Sequence, residues 1–163
     1  MQLILWRHAD AEDPAESDLA RPLSPKGIKQ AAKMAAWLRT ACHGNFDHWR
    51  VLSSPALRTQ QTAAALGCAV EVIDSIVTDV PPENIFAAAQ WPDAPTNVIL
   101  VGHQPTLGMA CARLLNDADG YVAVKKGAVW WFEQRTRNGI SQTVLKTMVT
   151  PESCSPPTPV DLK

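Results

Sequence analysis

Gln2-Leu3-Ile4-Leu5-Trp6-Arg7-His8-Ala9 is the stretch on which the reading of this chain turns. Residues 3–6 are an unbroken apolar run, too short for a helix and continuous enough for a strand buried on both faces. It runs directly into an arginine and a histidine, which have no place inside an apolar core without a partner. The strand therefore delivers Arg7 and His8 to the rim of a sheet. A guanidinium offers a fork of donors matched to phosphate or carboxylate. A neutral imidazole offers a basic or nucleophilic nitrogen near pH 7.

The design is repeated further along. Residues 98–101, Val-Ile-Leu-Val, form the cleanest apolar run, and Gly102-His103-Gln104-Pro105 follows. Between the two, residues 49–54 read as another strand, and Pro55 opens a helix over residues 56–66 with Ser54 as its N-cap. Arg58 falls in that helix's first turn, where free backbone N–H groups and the dipole attract anions, an odd place for a cation unless it serves an anion site. Ser24 and Pro25 open an earlier helix, whose inner stripe is read as Ile28, Ala31, Ala35 and Leu38, widened by Met34 and Trp37. Further strands are expected at 70–73, at 121–124 and from 127, the last returning through an Asn138-Gly139 turn, and further helices at 84–91 and 106–115.

Strands alternating with helices predict a three-layer α/β/α sandwich with a mostly parallel central sheet, formed by a single domain over residues 1–150. Residues 151–163 read as a Pro-rich tail of polyproline or unordered character. In parallel sheets ligands bind beyond the carboxyl ends of the strands. Arg7, His8, Arg58 and His103 all leave strands at that end, so topology gathers them into one cationic cluster suited to a compact dianion such as phosphoryl. One histidine can attack phosphorus in line while the arginines neutralise charge. Asp18 and Arg21 are weaker candidates at the mouth.

Composition excludes other classes. Fifteen basic against sixteen acidic residues leave a net charge of −1, which argues against nucleic-acid binding. No apolar run approaches membrane-spanning length, and the N-terminus lacks the pattern of a signal peptide. Cys42, Cys68, Cys111 and Cys154 show no metal-ligand spacing and are expected as free thiols, in keeping with a cytoplasmic location and with neither metal nor cofactor.

The segments around Arg7-His8-Ala9, Ser53 to Thr62 and Gly102-His103 resemble, in that order, the motifs of the histidine phosphatase superfamily, over roughly residues 1–148. The small size, Arg21-Pro22-Leu23-Ser24 and Gly102-His103-Gln104-Pro105 look like the SixA-type phosphohistidine phosphatases. The resemblance implies a phosphoglycerate mutase-like fold, with His8 as the phosphorylated nucleophile, Arg7 and Arg58 holding phosphate, and His103 as the second pocket histidine. Two departures stand out: Ala9 replaces the family's glycine, and Gln104 stands where the acid-phosphatase branch has an aspartate. Other branches place a glutamate after the third strand, where this chain has Asp74, Asp79 and Glu83 outside any recognisable motif.

A missing acid slows departure of an alkoxide far more than departure of an imidazole, whose conjugate acid has a pKa of ~6.5. The expected substrate is therefore phosphohistidine on a protein partner. The alternatives are a small phosphorylated metabolite, hydrolysed with help from Asp79 or Glu83, and a non-catalytic phosphate-binding module that tolerates loss of His8.

Overall fold

The structure is a computed structural model in which residues 1–13 and 16–154 are described. The first strand, β1 (Gln2–Arg7), is followed by α1 (Pro25–Ala41), β2 (Trp49–Ser53) and α2 (Leu57–Ala64). Then come β3 (Glu71–Val72), α3 (Pro82–Ala89), β4 (Asn97–Gly102) and α4 (Thr106–Leu114), and the chain closes with β5 (Val129–Arg137) and β6 (Ile140–Val149). The six strands lie in the order β3-β2-β4-β1-β5-β6. β1 to β4 are parallel, and β5 runs antiparallel to both β1 and β6.

Why the early apolar runs are unbroken is plain from the two faces of this sheet. Leu3, Leu5, Leu52, Val98, Leu100 and Phe132 face one side, against Ile85 and Ala89 of α3 and Leu107, Ala110 and Cys111 of α4. Ile4, Trp6, Val51, Ile99, Val101 and Trp131 face the other, against Met34, Ala35 and Leu38 of α1 and Ala63 of α2. A central strand covered by helices on both sides has no solvent-facing residue, so period-two alternation disappears from its sequence. The three layers, and the mostly parallel sheet, are those expected. No helix among the described residues is long and apolar enough to cross a membrane.

Several local expectations are corrected. Ile28 is 60% exposed; Gly27 and Gln30 take the inner positions in that turn. The cause is backbone contact: Gln30 accepts a hydrogen bond from the Asp10 N–H at 2.9 Å, and Gly27 lies against the Asp10 carbonyl. A methyl group at Gly27 would run into that carbonyl oxygen. Gly27→Ala is expected to destabilise by about 1–3 kcal/mol, an overpacking cost, and to lower the thermal midpoint by several degrees in a calorimetric scan.

Residues 121–124 form no strand but a loop in which Tyr121 is exposed. Pro151 and Cys154 are buried within a turn, and the Pro151 carbonyl accepts a hydrogen bond from Lys33 Nζ at 2.6 Å. The remainder of the expected tail, residues 155–163, lies outside the described residues. The four cysteines are free thiols. Asn138 and Gly139 both take positive φ, 53° and 74°, the conformation a tight β-hairpin turn demands.

Candidate active site

β1 and β4 are parallel neighbours with Arg7 opposite Gly102, so the residues that leave these strands emerge side by side. The His8 N–H donates to the Gly102 carbonyl at 3.1 Å, and the His8 and His103 rings stand 5.3 Å apart at 56°. β2 flanks β4 on its other side, and the chain leaving it turns into α2, which brings in Arg58. Arg7, His8, Arg58 and His103 line one cavity of about 310 Å³. Asp18 and Arg21 line it too, and so do Thr78, Asp79, Gln104 and Lys126.

The tautomer of His8 follows from its partner. Nδ1 lies 2.7 Å from the Ala9 carbonyl oxygen, which can only accept, so Nδ1 carries the hydrogen and Nε2 keeps its lone pair. Burial pushes the His8 imidazole down to about 4, and the Arg58, Arg7 and Lys126 charges push the same way against the raising effect of the Ala9 bond. Ala9, in the place of the family's glycine, is fully buried; its methyl packs with Leu23 and Ala31, while its N–H donates to Thr62 Oγ1 at 3.1 Å.

The same logic fixes His103. Arg58 Nη2 can only donate, so His103 Nδ1, 3.3 Å away, accepts. Nε2 therefore carries the hydrogen and donates to Ser54 Oγ at 2.6 Å. Thr59 Oγ1 sits 2.9 Å from Ser54 Oγ and donates onward to the Ala56 carbonyl at 2.8 Å. Ser54 is thus no helix cap. α2 starts later, at Leu57 with Ala56 as its N-cap, and the Ser54 hydroxyl orients the second histidine. Ser54→Ala leaves a buried N–H unpaired, so kcat/KM is expected to drop about 10–100-fold, read by steady-state kinetics, the equivalent of ~1–3 kcal/mol. Burial also pushes His103 down to about 3, with the His8 and Arg58 charges adding to the effect.

Both imidazoles are thus neutral at pH 7. In a ¹⁵N NMR titration His8 is expected as the Nδ1–H tautomer and His103 as the Nε2–H tautomer, neither ring protonating above pH 5. Unfolded histidine titrates near 6.5. As pH falls from that value towards 4 the unfolded chain takes up protons that the folded chain refuses. Stability contributed by these two groups therefore declines through that window, and a urea midpoint should fall with it.

The arginines are anchored by the fold. Arg7 Nη1 donates to the Val124 carbonyl at 2.7 Å. Arg58, 3% exposed, donates from Nη1 to the Asp18 carbonyl at 2.6 Å and from Nη2 to Asp18 Oδ2 at 3.0 Å. Their Nε atoms are buried, with no hydrogen-bond partner among the described residues. An unmet buried donor is costly, so the two N–H groups are hydrogen-bonding capacity that the protein itself leaves unused. Asp18 also meets Arg21 at 3.2 Å, and Arg21 pairs with Asp13 at 2.9 Å. Hydrogen bonds from Arg58, and less so from Arg21, hold the Asp18 carboxyl below the usual carboxylate range. A phosphoryl group that reaches Arg58 Nη2 shares or displaces that carboxylate.

Among the residues sequence reasoning passed over, Lys126 lines the cavity and pairs with Asp10 at 2.9 Å. Of the two suggested acids, Asp79 lines the cavity, whereas Glu83 is tied to Arg113 on the α3–α4 face. Gln104 is spent on architecture. Its amide donates to the Val122 carbonyl at 2.7 Å and to Tyr121 Oη at 3.0 Å, and its oxygen accepts from the Gly108 N–H at 3.0 Å. Among the described residues no three His, Cys, Asp or Glu side chains converge as a metal ion requires. The arrangement offers one unprotonated imidazole nitrogen beside two anchored guanidiniums and a second imidazole, which suits transfer of a phosphoryl group to nitrogen.

The family model of the histidine phosphatase superfamily (branch 1) matches residues 3–79. Over 122 residues the chain is 31% identical to the phosphohistidine phosphatase SixA of Escherichia coli strain K12, covering 70% of this chain and 74% of that one. The fold superposes on a solved structure of the protein histidine phosphatase SixA complexed with tungstate, with a TM-score of 0.71 and 24% identity over 93% of this chain and 97% of the other. It also matches a phosphoserine phosphatase mutant from Entamoeba histolytica in complex with phosphoserine, with a TM-score of 0.67 and 18% identity over 93% of this chain and 98% of that one.

Proposed function

From the premise that the chain belongs to the histidine phosphatase superfamily, we propose that it hydrolyses phosphohistidine on a protein partner through a covalent intermediate on His8. The observation that carries this reading is the His8 tautomer: the Ala9 carbonyl takes the Nδ1 hydrogen and leaves Nε2 unprotonated in a cavity with Arg7 and Arg58. The likeness to a phosphohistidine phosphatase from Escherichia coli supports the substrate class.

In the first step Nε2 attacks phosphorus, the bond from phosphorus to the substrate nitrogen breaks, and its electron pair returns to the departing imidazole. In the second, water attacks the phosphorylated His8, releasing inorganic phosphate and restoring the lone pair on Nε2. Arg7 and Arg58 neutralise the charge on the transferring oxygens. His103, neutral and with its hydrogen committed to Ser54, accepts from Arg58 through Nδ1 and so helps to orient that guanidinium.

The test compares kcat/KM on a phosphotransfer domain carrying phosphohistidine with that on a phosphoserine peptide and a sugar phosphate. A preference of about tenfold or more for the phosphohistidine domain, some 1.4 kcal/mol in transition-state binding, is expected. Faster release from either ester would contradict the reading and favour a small-molecule phosphomonoesterase.

A further inference from the structure

Asp79 is out of keeping with the cavity it lines. A carboxylate at the edge of a site built for a dianion repels that ligand. Asp18, the other carboxylate there, is fully engaged by Arg58 and Arg21, but no ion pair among the described residues includes Asp79. Its backbone has φ +61°, the left-handed region that non-glycine residues enter rarely. The segment is pinned there: the Val80 carbonyl accepts from Thr106 Oγ1 at 2.7 Å, and Thr106 is 2% exposed. The backbone is held, the Asp79 side chain is exposed at the rim, and its carboxylate is available to a part of the substrate other than the phosphoryl group.

We propose that Asp79 accepts a hydrogen bond from the second ring nitrogen of a substrate phosphohistidine and thereby selects an imidazole leaving group. The assignment rests on the reading under Proposed function and deepens it. A phosphorylated imidazole departs readily only when its other nitrogen bears a proton, and a neighbouring carboxylate favours that cationic form. The ring then enters as N–H⁺ and His8 Nε2 bonds to phosphorus. As the old P–N bond breaks, its electron pair stays on the leaving nitrogen and the proton stays on the other. The product departs as neutral imidazole with no further proton transfer. Asp79 works here as a hydrogen-bond acceptor and passes no proton, so an ester, whose leaving oxygen carries no N–H, gains nothing from it.

The experiment measures kcat/KM for wild type and Asp79→Asn on a phosphohistidine-bearing phosphotransfer domain, on p-nitrophenyl phosphate and on an alkyl phosphomonoester. Asparagine tolerates left-handed φ, so the variant keeps the backbone. The ratio of phosphohistidine to p-nitrophenyl phosphate activity is expected to fall about tenfold or more, the loss of one charge-assisted hydrogen bond. An unchanged ratio overturns the assignment. A loss greater on the alkyl ester than on phosphohistidine also overturns it, because that pattern belongs to a general acid. Wild-type enzyme that is inert on phosphohistidine but turns over p-nitrophenyl phosphate strikes at the proposed function itself, whatever the variant does.

Discussion

His8→Ala is expected to abolish turnover, lowering kcat by roughly 10⁴-fold or more, since the nucleophile of a covalent mechanism has no substitute. The loss is chemical rather than structural. The side chain's hydrogen bond is to its neighbour's carbonyl, and the strand that carries it is fixed by Ile4, Leu5 and Trp6, all fully buried. Folding is therefore retained, and circular dichroism should match wild type. Phosphate binding should survive, because Arg7 and Arg58 remain anchored through Val124 and Asp18. Steady-state kinetics together with phosphate titration separates these effects. A variant that binds phosphate and does not turn over fits a nucleophile; retained turnover contradicts that role, and a wild type that binds phosphate without turnover fits the non-catalytic module reading.

Arg58→Ala is expected to cost about 10²–10³ in kcat/KM, the range for losing one preorganised donor to developing charge. Three connections fail together. The Asp18 carboxylate loses one of its two arginine partners, the His103 Nδ1 acceptor loses its donor, and the phosphoryl oxygens lose a guanidinium. Arg58→Lys should not restore activity, because Arg58 bonds the Asp18 carbonyl from Nη1 and the Asp18 carboxylate and His103 from Nη2, and one ammonium nitrogen cannot occupy both positions. Inhibition constants for vanadate and inorganic phosphate provide the check: both should rise in the lysine variant nearly as far as in alanine.

How much of this was legible from sequence depends on where each residue acts. Arg7, His8 and His103 could be read because each terminates an apolar run, and a buried parallel strand announces both itself and its carboxyl end. Arg58 was legible from its place in a helix's first turn. Ser54 was misread because serine before proline fits a helix cap equally well, and nothing local reveals an imidazole from a strand more than forty residues on. Lys126 and the Asp18–Arg58 contact were invisible for the same reason: they join segments distant along the chain. Ile28 shows the opposite failure. Helical spacing marked it as inner, but close approach of the Asp10 backbone turned the glycine face inward. The loop at 121–124 reads as β-prone, yet it is held by Gln104, a contact outside any strand.

The most direct test is to stop the reaction with a ³²P-phosphohistidine domain within milliseconds and locate the label on this chain. The expected result is acid-labile, base-stable phosphate on His8 alone, attached through Nε2 and absent from His8→Ala. Label on any other residue, or steady turnover with no phosphoenzyme at any time, would contradict the assignment of His8 as the attacking group.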